Sequence, residues 1–201
     1  ESPTASIAIS GGSSPKPMFE LFAQSDLDWS RLHVFWVDER AVPPTDPRSN
    51  YKLALESWLG PAKVPEANIH RIRAEFLPER AALEYSLDLE RHFGAGVPRF
   101  DVIHLGMGPD AHTASLFPGE PMILNQTGVV AAVRVEKMHQ WRVTLLPATI
   151  RNAASIAMLV LGADKQDPLK AVLRGPDDFL TYPAQLARLP QTELFTELPE
   201  D

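Results

Sequence analysis

The sequence predicts an α/β fold built around a largely parallel sheet. Short apolar runs rich in β-branched residues alternate along the chain with longer segments of helical periodicity, which is the pattern of consecutive βαβ units. Two of the runs, 100–106 and 156–161, are almost continuously apolar, as is typical of parallel strands buried on both faces. No repeat or linker divides the sequence, so residues 1–201 are expected to form one α/β domain.

The elements follow from these runs and from the segments between them. Seven strands are predicted at 5–10, 32–37, 69–73, 100–106, 129–135, 141–146 and 156–161. Five helices are predicted at 14–24, 50–59, 78–93, 147–154 and 165–174.

Capping residues mark several helix ends. Ser14 can cap the first helix, with Pro15 at the first helical position, where its missing N–H costs nothing. Ser49 can cap the second helix in the same way. Pro78 and Gly94 bound the third helix.

Composition excludes several classes of function. The chain has 19 Lys and Arg against 26 Asp and Glu, a net charge of −7, and no basic run, so nucleic acid is not an expected partner. The absence of cysteine excludes disulfide scaffolds and thiol catalysis. No apolar stretch reaches the roughly 20 residues that span a bilayer, and the six histidines show no metal-binding spacing. We therefore expect a soluble, cytoplasmic protein without a membrane partner, a metal or a cofactor.

Three loops that follow predicted strands hold the residues suited to chemistry. They lie at 10–15, 37–40 and 106–112. Ligands of open α/β sheets bind outside the carboxyl ends of the strands. If the strands are parallel, the three loops converge there.

The first loop suits a phosphate group. Ser10, Gly11, Gly12 and Ser13 lead from a strand directly into a helix, where inward-turned N–H groups and serine hydroxyls favour an anion. The alternative is an ordinary tight turn, in which glycine and serine are also common.

The third loop contains a candidate general base. Histidine side chains can abstract a proton at physiological pH, and Asp110 can orient the ring of His112. The alternative is a histidine that caps a short helix over 112–117. Gly106 and Gly108 also fit a dinucleotide-binding pattern, but Pro109 removes one N–H and no acidic residue stands at the required distance.

Charged residues near these loops are candidates for ligand binding. Asp38 and Arg40 follow a strongly apolar strand and either face a ligand or form a solvated rim. Arg142 lies inside an apolar run and needs an anionic partner, protein or ligand. Lys165 begins a predicted helix, where a bound phosphate would offset the unfavourable helix dipole.

These segments resemble one family. The segments 10–15, 36–40 with 49–51, 106–119, 142–145 and 164–165 stand in the order and spacing of the glucosamine-6-phosphate isomerase/6-phosphogluconolactonase family. The resemblance covers residues 5 to about 195. It implies a Rossmann-like three-layer sandwich, a phosphosugar lactone as substrate, and hydrolysis of 6-phospho-D-glucono-1,5-lactone in the oxidative pentose phosphate pathway. We expect a monomer or a weak homo-oligomer.

The sequence departs from the family pattern at two points. Ala111 stands where the family usually has glycine, so the backbone before His112 either has negative φ or is strained. The family also usually has a strand and a helix upstream of residue 5, and we expect this N-terminal strand–helix pair to be missing from the chain.

The resemblance also implies roles for individual residues. His112 would be the general base and Asp110 its orienting partner, with Arg40 and N–H groups near 106–108 stabilising the developing oxyanion. The phosphate would be held by Arg142, Lys165 and the 10–13 loop. A deaminating isomerase on glucosamine 6-phosphate and a phosphosugar-sensing regulatory domain remain alternatives.

Overall fold

The computed structural model describes residues 4–197, which form two β-sheets and the helices around them. The strands of this part of the chain are β1 (Ala5–Ile9), β2 (Leu32–Trp36), β3 (Asp38–Arg40), β4 (Ile69–His70), β5 (Val102–Gly106), β6 (Val130–Val135), β7 (Gln140–Leu145), β8 (Ser155–Val160) and β9 (Thr192–Thr196).

Five α-helices connect or cover these strands. They are α1 (Lys16–Ala23), α2 (Asn50–Ala54), α3 (Pro78–Phe93), α4 (Pro147–Arg151) and α5 (Gln166–Arg174). A π-helical turn, Leu55–Leu59, continues α2, and its last bond runs from the N–H of Gly60 to the carbonyl of Leu55 over 2.9 Å.

The larger sheet is entirely parallel and confirms the predicted fold class. Its strand order is β4-β2-β1-β5-β8-β9, and each neighbouring pair is parallel. The carboxyl ends of its strands therefore lie along one edge, where the connecting loops can meet.

Helices cover both faces of this sheet, which gives three layers. On one face, the Phe35 ring packs against Phe93 of α3 and Phe100. On the other face, Phe19 of α1 stacks on Trp58 at 5.7 Å. The buried residues of the two faces belong to one continuous core.

The smaller sheet is antiparallel and was not predicted. Its order is β3-β7-β6. Val37 joins it to the larger sheet, because its N–H donates to the carbonyl of Ile9 and its carbonyl accepts from the N–H of Leu145, over 2.9 and 2.8 Å. The predicted strands at 129–135 and 141–146 exist, but they pair here and not in the parallel sheet.

Most element boundaries agree with the sequence, and a few do not. Helix α3 has the predicted limits, and Ser49 caps α2 by accepting from the N–H of Lys52. Ser14 does not cap α1: the helix begins at Lys16, with Pro15 at the N-cap, because the first helical bond runs from Phe19 N to the carbonyl of Pro15. The predicted strand 69–73 is reduced to the two residues of β4.

Two strands have no counterpart in the sequence prediction, namely β3 and the edge strand β9. The termini of the predicted domain, 1–3 and 198–201, lie outside the described residues. Among the helices of 4–197, none combines the length and the apolar character needed to span a membrane.

Candidate active site

A cavity of about 200 Å³ opens at the carboxyl ends of the parallel strands. The predicted site residues that line it are Ser10, Gly11, Gly12, Ser13, Asp38, Arg40, Gly106, Gly108, His112, Arg142 and Lys165. Asp110 is hydrogen-bonded to His112 directly behind this lining. The structure thus brings together residues that the chain separates widely, from both sheets and from the start of α5.

His112 and Asp110 form a close pair. The Nδ1 atom of His112 lies 2.5 Å from Oδ1 of Asp110. Burial disfavours the charged form of Asp110, but bonds from His112 and Lys137 outweigh it and hold the pKa of this carboxyl well below its usual range. Because an ionised Asp110 can only accept, Nδ1 carries the proton and Nε2 is left as the basic nitrogen.

The loop that carries this pair depends on close packing at Gly108. A Cβ at Gly108 would lie 2.1 Å from the His112 ring and 2.9 Å from Asp110, so any side chain here would displace the pair. The predicted alternative of a helix over 112–117 is wrong. Ala111 and Ala114 have positive φ, and the segment is a tight turn bridged between Thr113 and Leu116.

Asp38 and Arg142 form a buried ion pair at the cavity wall. The carboxylate lies 3.7 Å from the Arg142 guanidinium and accepts a 2.5 Å bond from the Ser115 hydroxyl. Arg142 therefore has the anionic partner that its sequence context required. The solvated rim considered for this segment is wrong, because Asp38 and Glu39 are 5% and 2% exposed.

Glu39 is held by a set of donors that anchor strand β3 to α2. Its carboxylate accepts from the N–H groups of Arg40, Asn50 and Tyr51 and from the Ser49 hydroxyl. Burial raises the pKa of Glu39, and the three N–H bonds oppose that rise. The Glu39 side chain therefore holds β3 against the start of α2, next to the cavity.

The cavity is electropositive although the chain is acidic. Arg40, Arg142 and Lys165 line it with Asp38 as the one carboxylate. Within residues 4–197, neither Arg40 nor Lys165 makes an ion pair, and the Nε atoms of Arg40 and Arg142 have no hydrogen-bond partner. Arg40 and Lys165 can therefore interact with an anionic ligand without first breaking an ion pair of their own.

The glycine–serine loop is positioned by two contacts. Ser10 donates its N–H to Nδ1 of His104 and its hydroxyl to the carbonyl of His104, so both of its donors are already used. A Cβ at Gly11 would lie 1.9 Å from the Asn50 amide oxygen. Binding of an anion in this loop is therefore left to Gly11, Gly12 and Ser13.

His104 and Asn50 also line the cavity, and the sequence analysis missed both. His104 lies on β5, and burial lowers its pKa to about 4. Since its Nδ1 accepts from Ser10, the neutral ring carries its proton on Nε2, which has no partner among the described residues. A polar residue inside the buried run 100–106 was the available signal.

Comparison with known proteins yields one family. The family model described as glucosamine-6-phosphate isomerases/6-phosphogluconolactonase matches residues 1–196. The chain is 40% identical over 175 residues to a 6-phosphogluconolactonase of Treponema pallidum, covering 85% of the chain and 73% of the relative. It is also 40% identical over 192 residues to one from Synechocystis, with coverages of 94% and 79%.

Solved structures agree with these sequence relatives. The crystal structure of 6-phosphogluconolactonase from Thermotoga maritima superposes with a TM-score of 0.85 at 26% identity, covering 98% of the chain and 86% of that structure. The enzyme from Trypanosoma cruzi gives a TM-score of 0.86 at 26% identity, with coverages of 96% and 81%.

Ala111→Gly should raise the free energy of unfolding or leave it unchanged. Ala111 has φ of 60°, a conformation that costs an L side chain about 1 kcal/mol and glycine nothing. We expect a gain of up to about 1 kcal/mol in urea denaturation. The control Ala82→Gly, in the regular helix α3, should instead lose about 1 kcal/mol. Equal losses in both variants would contradict strain at Ala111.

His104→Asn should remove part of the pH dependence of stability. The folded-state pKa of about 4 lies below the ordinary 6.5, so the unfolded chain binds the extra proton. The stabilisation is complete above pH 6.5 and is lost as the pH falls toward 4, by about 2 kcal/mol at pH 5.

Asparagine keeps an acceptor for the Ser10 N–H and does not titrate. The free energy of unfolding of wild type and variant is measured by denaturation from pH 7.5 to 5. The difference between the two should shrink as the pH falls, because only the wild type loses stability through this histidine. His139→Asn is the matched control and should keep the wild-type dependence of stability on pH. If His104→Asn also kept that dependence, the lowered pKa of His104 would be refuted.

Proposed function

The chain belongs to the glucosamine-6-phosphate isomerases/6-phosphogluconolactonase family, and from this membership we propose that it hydrolyses 6-phospho-D-glucono-1,5-lactone to 6-phospho-D-gluconate in the pentose phosphate pathway, with His112 as general base. The relatives at 40% identity carry the name of that enzyme. The observation that carries the mechanism is the 2.5 Å hydrogen bond that His112 Nδ1 donates to Asp110 beside an electropositive cavity.

His112 would activate water for attack on the lactone carbonyl. With its proton fixed on Nδ1, the ring can take a proton from water only at Nε2. The carboxylate of Asp110 then stabilises the imidazolium that forms. As the tetrahedral intermediate collapses, His112 returns the proton to the departing ring oxygen, which becomes the C5 hydroxyl of the product. A lactone is an activated ester, so no covalent nucleophile is required.

The negative charge of the intermediate would be stabilised by Arg40. Its Nη1 donates to the carbonyl of Arg48, which holds the guanidinium at the cavity wall. The N–H of Gly108, expected earlier as an oxyanion donor, is already bonded to the carbonyl of His112. Preorganised donors of this kind contribute several kcal/mol to catalysis.

The 6-phosphate would lie at the other side of the cavity, against the 11–13 loop and Lys165. Lys165 is the N-cap residue of α5, and Gly11 to Ser13 precede α1, so each contact places the anion near a helix N-terminus. Arg142 would add charge, although Asp38 already neutralises part of it. Binding energy from the phosphate orients the reacting carbonyl at His112.

The activity itself is tested by proton release. Hydrolysis converts the uncharged lactone group into a carboxylate and so releases one proton. A weakly buffered indicator assay detects this proton, after correction for the spontaneous opening of the lactone ring. Ammonia release from glucosamine 6-phosphate, measured in parallel, tests the deaminating alternative within the same family. Turnover of the lactone without ammonia is expected.

His112→Ala should lower kcat by about 10²–10⁴-fold because the variant has no base at the attacking water. Thermal denaturation should show a folded protein, since the ring is partly exposed beside Phe117. The matched control His139→Ala removes a histidine outside the cavity and should keep wild-type kcat. A His112→Ala variant with unchanged kcat would end the assignment.

Lys165→Ala should raise KM with little effect on kcat, because the lysine would contact the phosphate and not the reacting carbon. Lys170→Ala, on the same helix α5 but outside the cavity lining, is the control and should leave both constants unchanged. A loss confined to kcat would place Lys165 at the lactone carbonyl instead.

A further inference from the structure

Three histidines meet on the face of the sheet that α3 covers. His33 lies on β2, His70 on the edge strand β4 and His92 on α3. One ring nitrogen of each lies within 4.8 Å of the other two, and Nδ1 of His33 is 2.9 Å from Nε2 of His70. Sequence spacing gave no sign of a metal site, because this proximity arises from strand pairing and helix packing.

We propose that His33, His70 and His92 bind one divalent transition-metal ion, with Zn²⁺ as the best-suited ion. Imidazole nitrogens bind zinc at about 2.1 Å, which separates tetrahedral ligands by about 3.4 Å. One observed separation is 2.9 Å and the others are at most 4.8 Å, so small rotations of the rings complete the geometry. The fourth position belongs to water or to an exogenous ligand.

A second group orients one of the three rings as metal sites require. Asp88 of α3 lies 3.0 Å from Nδ1 of His70, so His70 donates there and directs Nε2 at the ion. A carboxylate behind a histidine ligand fixes the tautomer and increases the basicity of the ligand.

The surroundings suit a bound ion. The Phe35 ring stacks on His70 at 4.2 Å, and His92 packs against Phe35 and Phe93, which gives the site an apolar floor. A separate cavity of about 470 Å³ is lined by His70 and Asp88, and each of the three histidines is half-buried. Arg91, also on α3, pairs with Asp88 at 3.1 Å.

The position of the cluster indicates a structural role. Strand β4 has only two residues and pairs with β2 through Val34–Ile69 and Phe35–His70. An ion held by β2, β4 and α3 would fasten this short edge strand to the sheet and to the helix above it. An ion that binds the folded chain and not the unfolded chain stabilises the fold by mass action.

The test uses the full chain without an affinity tag, stripped with a chelator and then titrated with ZnCl₂. We expect one tight equivalent by calorimetry, an upward shift of Tm with added zinc, and the visible absorption of tetrahedral Co²⁺ when cobalt replaces it. His92→Ala should abolish the Tm shift and the cobalt spectrum. Asp88→Asn should weaken binding about 10–100-fold while keeping all three ligands.

Two controls distinguish this site from the cavity at His112. His139→Ala and His112→Ala should keep the stoichiometry and the cobalt spectrum of the wild type. Should His92→Ala fold poorly by circular dichroism, His33→Gln replaces it in the same assay. The proposal would be overturned if the wild type bound no equivalent of zinc tightly. It would also be overturned if the cobalt spectrum were lost in His112→Ala and kept in His92→Ala.

Discussion

The junction at Val37 is the constraint on which the candidate site depends. Its N–H donates to β1 of the parallel sheet and its carbonyl accepts from β7 of the antiparallel sheet, so this residue joins the two sheets. The parallel sheet contributes His112 and Lys165 from its loops, and the small sheet contributes Arg40 and Arg142. Ser115 adds a second connection to the small sheet. Its hydroxyl donates to Asp38 of β3, and its N–H donates to Thr144 of β7. The bonds of Ser115 hold the loop that carries His112 against the strands that carry Arg40 and Arg142.

Buried charge is the second feature that the arrangement requires. A carboxylate removed from water is unfavourable unless donors replace the lost hydration. Glu39 has four such donors, three of them backbone N–H groups, and Asp38 has Ser115 and Arg142. Removing one partner would leave an uncompensated charge, which couples the integrity of strand β3 to that of the cavity. These two carboxylates therefore act on the framework that presents Arg40 and Arg142.

The sequence predicted the parallel sheet and the convergence of the site loops, and its failures have physical causes. Helix α3 was placed at its true limits because Pro78 and Gly94 act locally. Strand β3 was missed because Asp38, Glu39 and Arg40 resemble a solvated segment, and the donors that make it a buried strand come from distant residues. The turn at 112–117 was open to a helical interpretation, since the positive φ of Ala111 and Ala114 is imposed by tertiary contacts. Pairing of β7 with β3 follows from the Val37 junction, which no local pattern contains.

The histidines show how surroundings decide the chemistry of one residue type. His112 has an ionised carboxylate on one nitrogen and a cavity beside it, which makes the other nitrogen a base. His104 is buried with no carboxylate, so it stays neutral and its Nδ1 can only accept from Ser10. His70 again has a carboxylate on Nδ1, but its Nε2 faces another imidazole and not a cavity able to hold a phosphosugar. Under the proposed function and the proposed metal site, the same Asp–His unit would support proton transfer where the free nitrogen faces the cavity and metal coordination where it faces further histidines.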